Sequence, residues 1–189
     1  KIYLNDITLW SGEPINPNNN PEAYKYVDQV RKALDEENYR KADSINRFIQ
    51  GQFTQSYAPL GTMYMNFKDH NTFTIYYREL DISKAVSLTS YEIDGVKFQR
   101  EYFISNPDQI MVIKLTSSKK KSINCSIGFE SLMKYTINQQ DDLLEINGYA
   151  PCHVEPSYRG EMPNAIVFDE NKGTRFTTLF KIRNKAGQV

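Results

Sequence analysis

Cysteine is scarce in this chain: two in 189 residues, Cys125 and Cys152. That excludes a disulfide-dense scaffold, and neither cysteine has a second ligand at metal-site spacing. One bridge or two thiols are both compatible with the pair. Histidine is as rare, with His70 and His153 alone, so no metal and no cofactor are expected. Net charge is absent, with 23 Lys+Arg balancing 23 Asp+Glu, which argues against a nucleic-acid binder relying on bulk positive charge. No run approaches the roughly 20 apolar residues of a membrane span, and no leader pattern opens the chain. Neither a nucleic acid nor a membrane is an expected partner. Glycine clusters are missing too. Gly61 and Gly95 stand alone, so there is no phosphate-binding loop, and no Gly-x-Ser-x-Gly elbow occurs.

What the chain does have is aromatic residues, 13% of the total with Tyr 13 and Phe 10, on a background 40% hydrophobic and 24% charged. This suits a folded domain better than a disordered one and leans toward β-structure and carbohydrate-facing proteins. The length suits one medium domain. Both ends read as cut: Lys1-Ile2-Tyr3-Leu4 resembles the middle of a strand, and Gly187-Gln188-Val189 carries no closing signal.

Local patterns divide the chain into a helical insertion and a run of strands. Ile2 to Trp10 reads as extended. Asn16 to Asn20 is a loop of turn residues. Asn20 as cap and Pro21 at the first helical position open a helix with Ala23, Val27, Val30 and Leu34 on one face. A second helix spans about residues 38–50, with Ala42, Ile45 and Ile49 on one face and Gly51 as its stop. Together they make a two-helix insertion at about 21–50. Beyond it, Phe73, Ile75 and Tyr77 alternate, Val86 and Leu88 begin another strand, and Asp94-Gly95 marks a two-residue hairpin. Further strands are expected at 109–116, 123–130, 143–149 and 175–183, with Lys119-Lys120-Lys121 a solvated turn. No internal repeat and no linker appear. Hairpin-joined strands without a βαβ rhythm predict a mainly β fold, an antiparallel β-sandwich (supersandwich-like).

Candidate chemistry is thin. His70, in Lys68-Asp69-His70-Asn71, reads as a turn residue. Glu79 and Asp81 share a sheet face if their strand continues, and surface partners such as Arg78 and nearby lysines account for them. Cys125 lies on the Ile/Phe face of its strand as a small core residue. More informative is Ala150 to Gly173, a long irregular stretch of the kind that is functional or covered by a partner. Within it, Pro151 and Pro156 stiffen a loop that presents His153, Glu155 and Tyr158 together. Trp10, the sole tryptophan, is either a platform for a sugar ring or a packing residue. Trp10, His153 and Tyr158 are the candidate substrate-rim or docking residues, and no catalytic residue is assigned.

Several motifs in order resemble one family. Leu4-Asn5-Asp6-Ile7-Thr8-Leu9-Trp10-Ser11-Gly12 resembles the LNEDTLWSG signature of glycoside hydrolase family 95, the inverting α-L-fucosidases. Tyr57-Ala58-Pro59-Leu60-Gly61 is similar to its YQPLG turn, and Tyr77-Arg78-Glu79-Leu80-Asp81 to its YRRELDL. The run Arg100 to Gln109 resembles REVFASYPDQV, and Gly148 to Pro156 resembles GxAPxHVxP. Ile7 and Asn106 depart from the family pattern as ordinary drift.

The resemblance implies that residues 1–189 are a single, truncated N-terminal β-sandwich domain of a larger bacterial glycoside hydrolase. Its partner would be a downstream (α/α)6 catalytic domain that holds the acid and base. The chain alone would then be inactive and prone to self-association. The substrates implied are fucosylated glycans or close α-L-galactoside relatives, and the setting is secreted or periplasmic. An autonomous carbohydrate-binding module and a purely structural domain are the rival readings.

Overall fold

A computed structural model describes residues 1–185; Gly187-Gln188-Val189 lie outside them. In chain order the elements are β1 (Ile2–Leu4), α1 (Tyr24–Asp35), α2 (Tyr39–Asn46), β2 (Gly61–Phe67), β3 (Thr74–Asp81), β4 (Val86–Ile93), β5 (Val96–Ser105), β6 (Ile110–Ser117) and β7 (Cys125–Glu130). They continue with β8 (Lys134–Gln140), β9 (Leu143–Tyr149), β10 (His153–Val154), β11 (Ile166–Val167) and β12 (Arg175–Lys181). Among the described residues, β2–β7, β3–β4, β4–β5, β5–β6, β8–β9, β9–β12 and β10–β11 all pair antiparallel. The mainly β class with two helices in the first third is borne out.

The chain divides into two compact units. The first holds Lys1–Ile2, Thr62–Glu130 and the described residues from Ile182. Its four-stranded sheet runs β3-β4-β5-β6, each strand beside its sequence neighbour. The β4–β5 connection is the two-residue turn expected at Asp94-Gly95: Ile93 pairs with Val96, and both turn residues take positive φ, 48° and 75°. That is the geometry of the turn whose twist matches its strands. β2 pairs with β7 from Thr62↔Glu130 to Phe67↔Cys125. The two sheets face each other where the Arg100 guanidinium of β5 lies 4.0 Å from the ring centre of Phe67 on β2. Phe98 and Tyr91 stack beside it and are buried. This unit is the sandwich.

The second unit holds Tyr3–Gly61 and Ser131–Lys181. Its three-stranded sheet runs β12-β9-β8, and β10 and β11 form a two-residue ribbon. Its core gathers Leu9, Ala58, Met133 and Ala150, with Leu60 and Phe176 against them. Four distant stretches of sequence therefore close on one point.

The helices depart from expectation in three details. Asn20 does not cap α1; its side-chain amide donates to the carbonyls of Phe48 and Gln50, both at 2.9 Å, and ties the helical segment's two ends together. On α1 the fully buried residue is Ala33, whereas Leu34 is 47% exposed. A small side chain at that position lets α2 approach, which it does through buried Ala42. α2 ends at Asn46, short of the expected 50, although Asn38 caps it as Ser, Thr, Asp and Asn do, accepting from Lys41 N–H.

β8 was not anticipated. Its sequence, Lys-Tyr-Thr-Ile-Asn-Gln-Gln, is mostly polar and mostly exposed, so it lacks the apolar alternation that announces a half-buried strand. Pairing along all of β9 holds it.

Candidate functional site

The site is built in the second unit from three loops. The first is Asp6 to Glu13. The Asp6 carboxylate accepts from both the hydroxyl and the N–H of Thr8, which hold it below the usual carboxylate range. This tight turn lets the indole N–H of Trp10 donate to the Ile7 carbonyl at 2.8 Å. The ring meets Tyr57 edge-on, centroids 5.5 Å apart, and remains 41% exposed. Trp10 is thus a fixed, half-open ring with its polar tip already satisfied.

The second loop, Gln50 to Ala58, runs alongside the first. Ser11 is buried and works in both directions: its N–H donates to the Ser56 carbonyl at 2.9 Å, and its hydroxyl oxygen accepts from Ser56 N–H at 2.8 Å. Ala58 N–H donates to Leu9 C=O. Gly12 sits at φ +103° with the Thr54 carbonyl where a Cβ would go, at 2.3 Å. The Trp10-Ser11-Gly12 motif is therefore explained by packing: a small hydroxyl residue and then no side chain at all.

The third loop is Ala150 to Gly173. Pro151 accepts from Gly12 N–H at 2.9 Å, which joins it to the first loop. Lys172 pairs with Glu13 at 3.1 Å, and the hydrogen bond to that carboxylate raises the lysine above its ordinary pKa. Cys152 is buried, its N–H donating to Val167 C=O. Both cysteines are free thiols; Cys125 is half-buried, and its partial burial raises its pKa.

His153, Glu155 and Arg159 form a chain of contacts within this loop. The ring Nε2 of His153 lies 3.0 Å from Glu155 Oε1, and Arg159 Nη1 donates to Glu155 Oε2 at 2.8 Å. The far ring nitrogen, Nδ1, faces the Gln52 amide nitrogen at 3.4 Å. Glu155 can only accept, so Nε2 carries a proton, and in the neutral ring Nδ1 accepts from Gln52. Both Glu155 oxygens are thereby occupied, and its side chain is 11% exposed. Tyr158 stands on the short 3₁₀ turn Ser157–Arg159 and is 77% exposed. An open cleft of about 210 Å³ lies between this turn and the second loop, lined by Gln52, Phe53, Tyr158 and Arg159 among others.

Of the three residues singled out from sequence, His153 and Tyr158 belong to this one network through Glu155 and Arg159. Trp10 belongs to the loop that is bonded to theirs. Gln52 was not foreseen, because nothing in its local sequence reports a partner 101 positions away. The Glu155–Arg159 pair could have been read from its i,i+4 spacing. His70 and Arg100 in the first unit were also missed as a pair. Both bond to Tyr91 Oη, at 2.7 and 2.5 Å. Glu79 and Asp81 have surface partners, though not Arg78: Tyr77 donates to Glu79, and Ser83 and Lys84 donate to Asp81. Among the described residues, no group of three His, Cys, Asp or Glu side chains is placed to hold a metal ion. No helix among them is long and apolar enough to cross a membrane.

The family model for the N-terminal domain of glycosyl hydrolase family 65 matches residues 1–189. The chain belongs to that family. It is also similar to alpha-L-fucosidase 2 of Arabidopsis thaliana, 32% identical over 195 residues. That match covers 98% of this chain and 23% of the relative, so the chain spans about a quarter of the relative's length. The resemblance read from the motifs to the N-terminal domain of α-L-fucosidases is borne out. The Trp10-Ser11-Gly12, Tyr57 to Gly61 and Gly148 to Pro156 motifs all lie in the converging loops of the second unit.

Proposed function

We propose that this chain is the non-catalytic N-terminal domain of an inverting, family 95-type α-L-fucosidase acting on fucosylated glycans. The observation that carries the proposal is the match to a fucosidase over nearly the whole chain and under a quarter of the relative. The chemistry of the chain agrees with a supporting role. Glycoside hydrolysis takes two carboxyl groups flanking one bond, roughly 5 Å apart or roughly 6.5–9.5 Å apart with a water between. The best-buried carboxylate of the loop network, Glu155, is held by His153 and Arg159, and Glu13 is paired with Lys172. These groups build loops. The acid and base would then belong to a separate catalytic domain, of (α/α)6 type by the resemblance, with the three loops supplying a docking face or a rim of the pocket. A glycan substrate also favours a secreted or periplasmic setting.

The test is turnover of an aryl α-L-fucoside by the full-length protein, with the released sugar followed by NMR. Inversion gives β-L-fucose as the first product, and substituting Glu13 or Glu79 by Gln leaves turnover within about twofold. Initial release of α-L-fucose would overturn the inverting mechanism. A large loss in kcat with either variant would overturn the non-catalytic role.

A further inference from the structure

We propose that the cleft between the second loop and the Tyr158 turn is a binding site for a single neutral pyranose ring, such as a terminal fucosyl residue. The inference rests on the glycan-handling reading above and adds a site on this chain. Three observations carry it.

The first is preorganisation. Both walls are held before any ligand arrives. On one side the Gln50 carbonyl is bonded to Asn20 and Ser56 N–H to Ser11. On the other, the Ser157–Arg159 turn is closed by Arg159 N–H to Pro156 C=O and Gly160 N–H to Ser157 C=O, and is anchored through Arg159 to buried Glu155. A bridge from Gln52 through His153 to Glu155 joins the two walls. Fixed walls lower the cost of binding.

The second is chemistry. The lining combines side-chain amides (Gln50, Gln52), a hydroxyl (Thr54), two aromatic rings (Phe53, Tyr158) and one guanidinium. Because Gln52 gives its N–H to His153, its Oε1 is left to accept from a ligand hydroxyl. Arg159 is already neutralised by Glu155 on one nitrogen and keeps other N–H groups to donate. Among the described residues, no carboxylate or lysine lines the cleft, so a charged ligand finds no uncompensated partner among them. Amides and N–H donors beside an exposed tyrosine ring and a half-buried phenylalanine suit a molecule with hydroxyls on its edge and C–H groups on its face, which describes a pyranose. Tyr158 stays 77% exposed on an anchored turn.

The third is size. The cleft, about 210 Å³, falls below the roughly 300–1,000 Å³ of sites for drug-sized ligands. It takes one ring at a chain end, not a stretch of polysaccharide. So small an open site binds weakly, with a Kd on the order of millimolar.

The experiment is photoaffinity labelling of the full-length protein with a diazirine-bearing methyl α-L-fucoside, mapped by peptide mass spectrometry. Label is expected on peptides containing Gln50–Thr54 or Ser157–Gly160, and free L-fucose should compete it away. Tyr158→Ala should cut that label about fivefold, while Tyr158→Phe keeps the ring and most of the label. Labelling elsewhere in the same protein reports whether each variant is folded. Equal labelling of Tyr158→Ala and the parent here, with labelling elsewhere intact, overturns the site. Parallel probes built on D-glucose and D-galactose separate the two ideas. If one of them labels the cleft and the fucoside does not, the pyranose site stands and the fucosyl reading falls. If none labels these peptides, the site falls whatever the enzyme hydrolyses.

Discussion

The two compact units are built by opposite strategies. In the first, the β3-β4-β5-β6 sheet pairs in chain order, so each of its strands is held by its sequence neighbour. Its information is local: alternation, and a turn at Asp94-Gly95. In the second, residues near 10, 55, 133 and 150 close on one core, and the polar contacts between Gly12 and Pro151, Glu13 and Lys172, and Gln52 and His153 each span more than 95 positions. A local ladder tolerates changes at its turns because its strands still find their neighbours. A closure of loops has no such redundancy, since each loop is held by a few backbone groups in one arrangement.

Two glycines give the largest test of this contrast. Gly12 and Gly95 both take positive φ, +103° and +75°. A Cβ on Gly95 would meet nothing within 4 Å, whereas one on Gly12 would sit 2.3 Å from the Thr54 carbonyl oxygen, which is backbone and cannot swing aside. Gly95→Ala should therefore cost about 1 kcal/mol from conformation alone. Gly12→Ala adds overpacking to conformational strain and should cost about 4 kcal/mol. Urea unfolding of both variants measures the ratio. Equal losses would mean that the loops of the second unit shift as freely as a hairpin turn does.

A smaller effect is expected at Glu155. Glu155→Gln keeps the shape but places an amide N–H against a donor, either Arg159 or His153, so one buried contact turns from attraction to conflict. The expected loss is about 2 kcal/mol. It should come with faster proteolysis around 156–160, because that turn is anchored through Arg159. Unchanged proteolysis would show that the turn stands without its carboxylate and would sharpen the contrast in favour of backbone closure alone.

The same contrast explains what the sequence made legible. The Asp94-Gly95 turn was readable because its determinants are adjacent in sequence. Strand β9 was readable because its apolar residues cluster. β8 was not, because its stability comes from pairing with β9 and not from its own pattern. Leu34 and Ala33 were exchanged because α2 selects the smaller residue, and helical spacing alone cannot see that. At the site, the loop motifs pointed to Trp10, His153 and Tyr158. What they could not give was Gln52 and the hydrogen bond from Gly12 to Pro151, which exist only once both halves of the second unit have met.

The smallest effect is expected in the first unit, and it is one of pH. His70 packs its ring on Phe67 and Phe98 and places Nδ1 2.7 Å from Tyr91 Oη. Tyr91 Oη also takes a hydrogen bond from Arg100 Nη2. Arginine can only donate, so Tyr91 accepts from it, and with His70 neutral its own single proton goes to His70 Nδ1. In that arrangement the ring's proton sits on Nε2. Desolvation first, and the Arg100 charge second, hold its pKa below the ordinary value for histidine; Asp69 opposes them more weakly. The unfolded chain, with its His70 near pKa 6.5, therefore binds more protons than the folded chain as pH falls through that region. Stability is full above about pH 6.5 and declines as pH drops from there toward the lower folded value. Comparing His70→Gln with the parent isolates this contribution, because His153 and the carboxylates titrate in both. The stability advantage of the parent should be greatest at neutral pH and shrink on acidification below about pH 6.5. An advantage that stays constant between about pH 8 and about pH 5 would mean that His70 is not held neutral by Tyr91 and Arg100, and that the packed aromatic cluster of the first unit is insensitive to the charge at its edge.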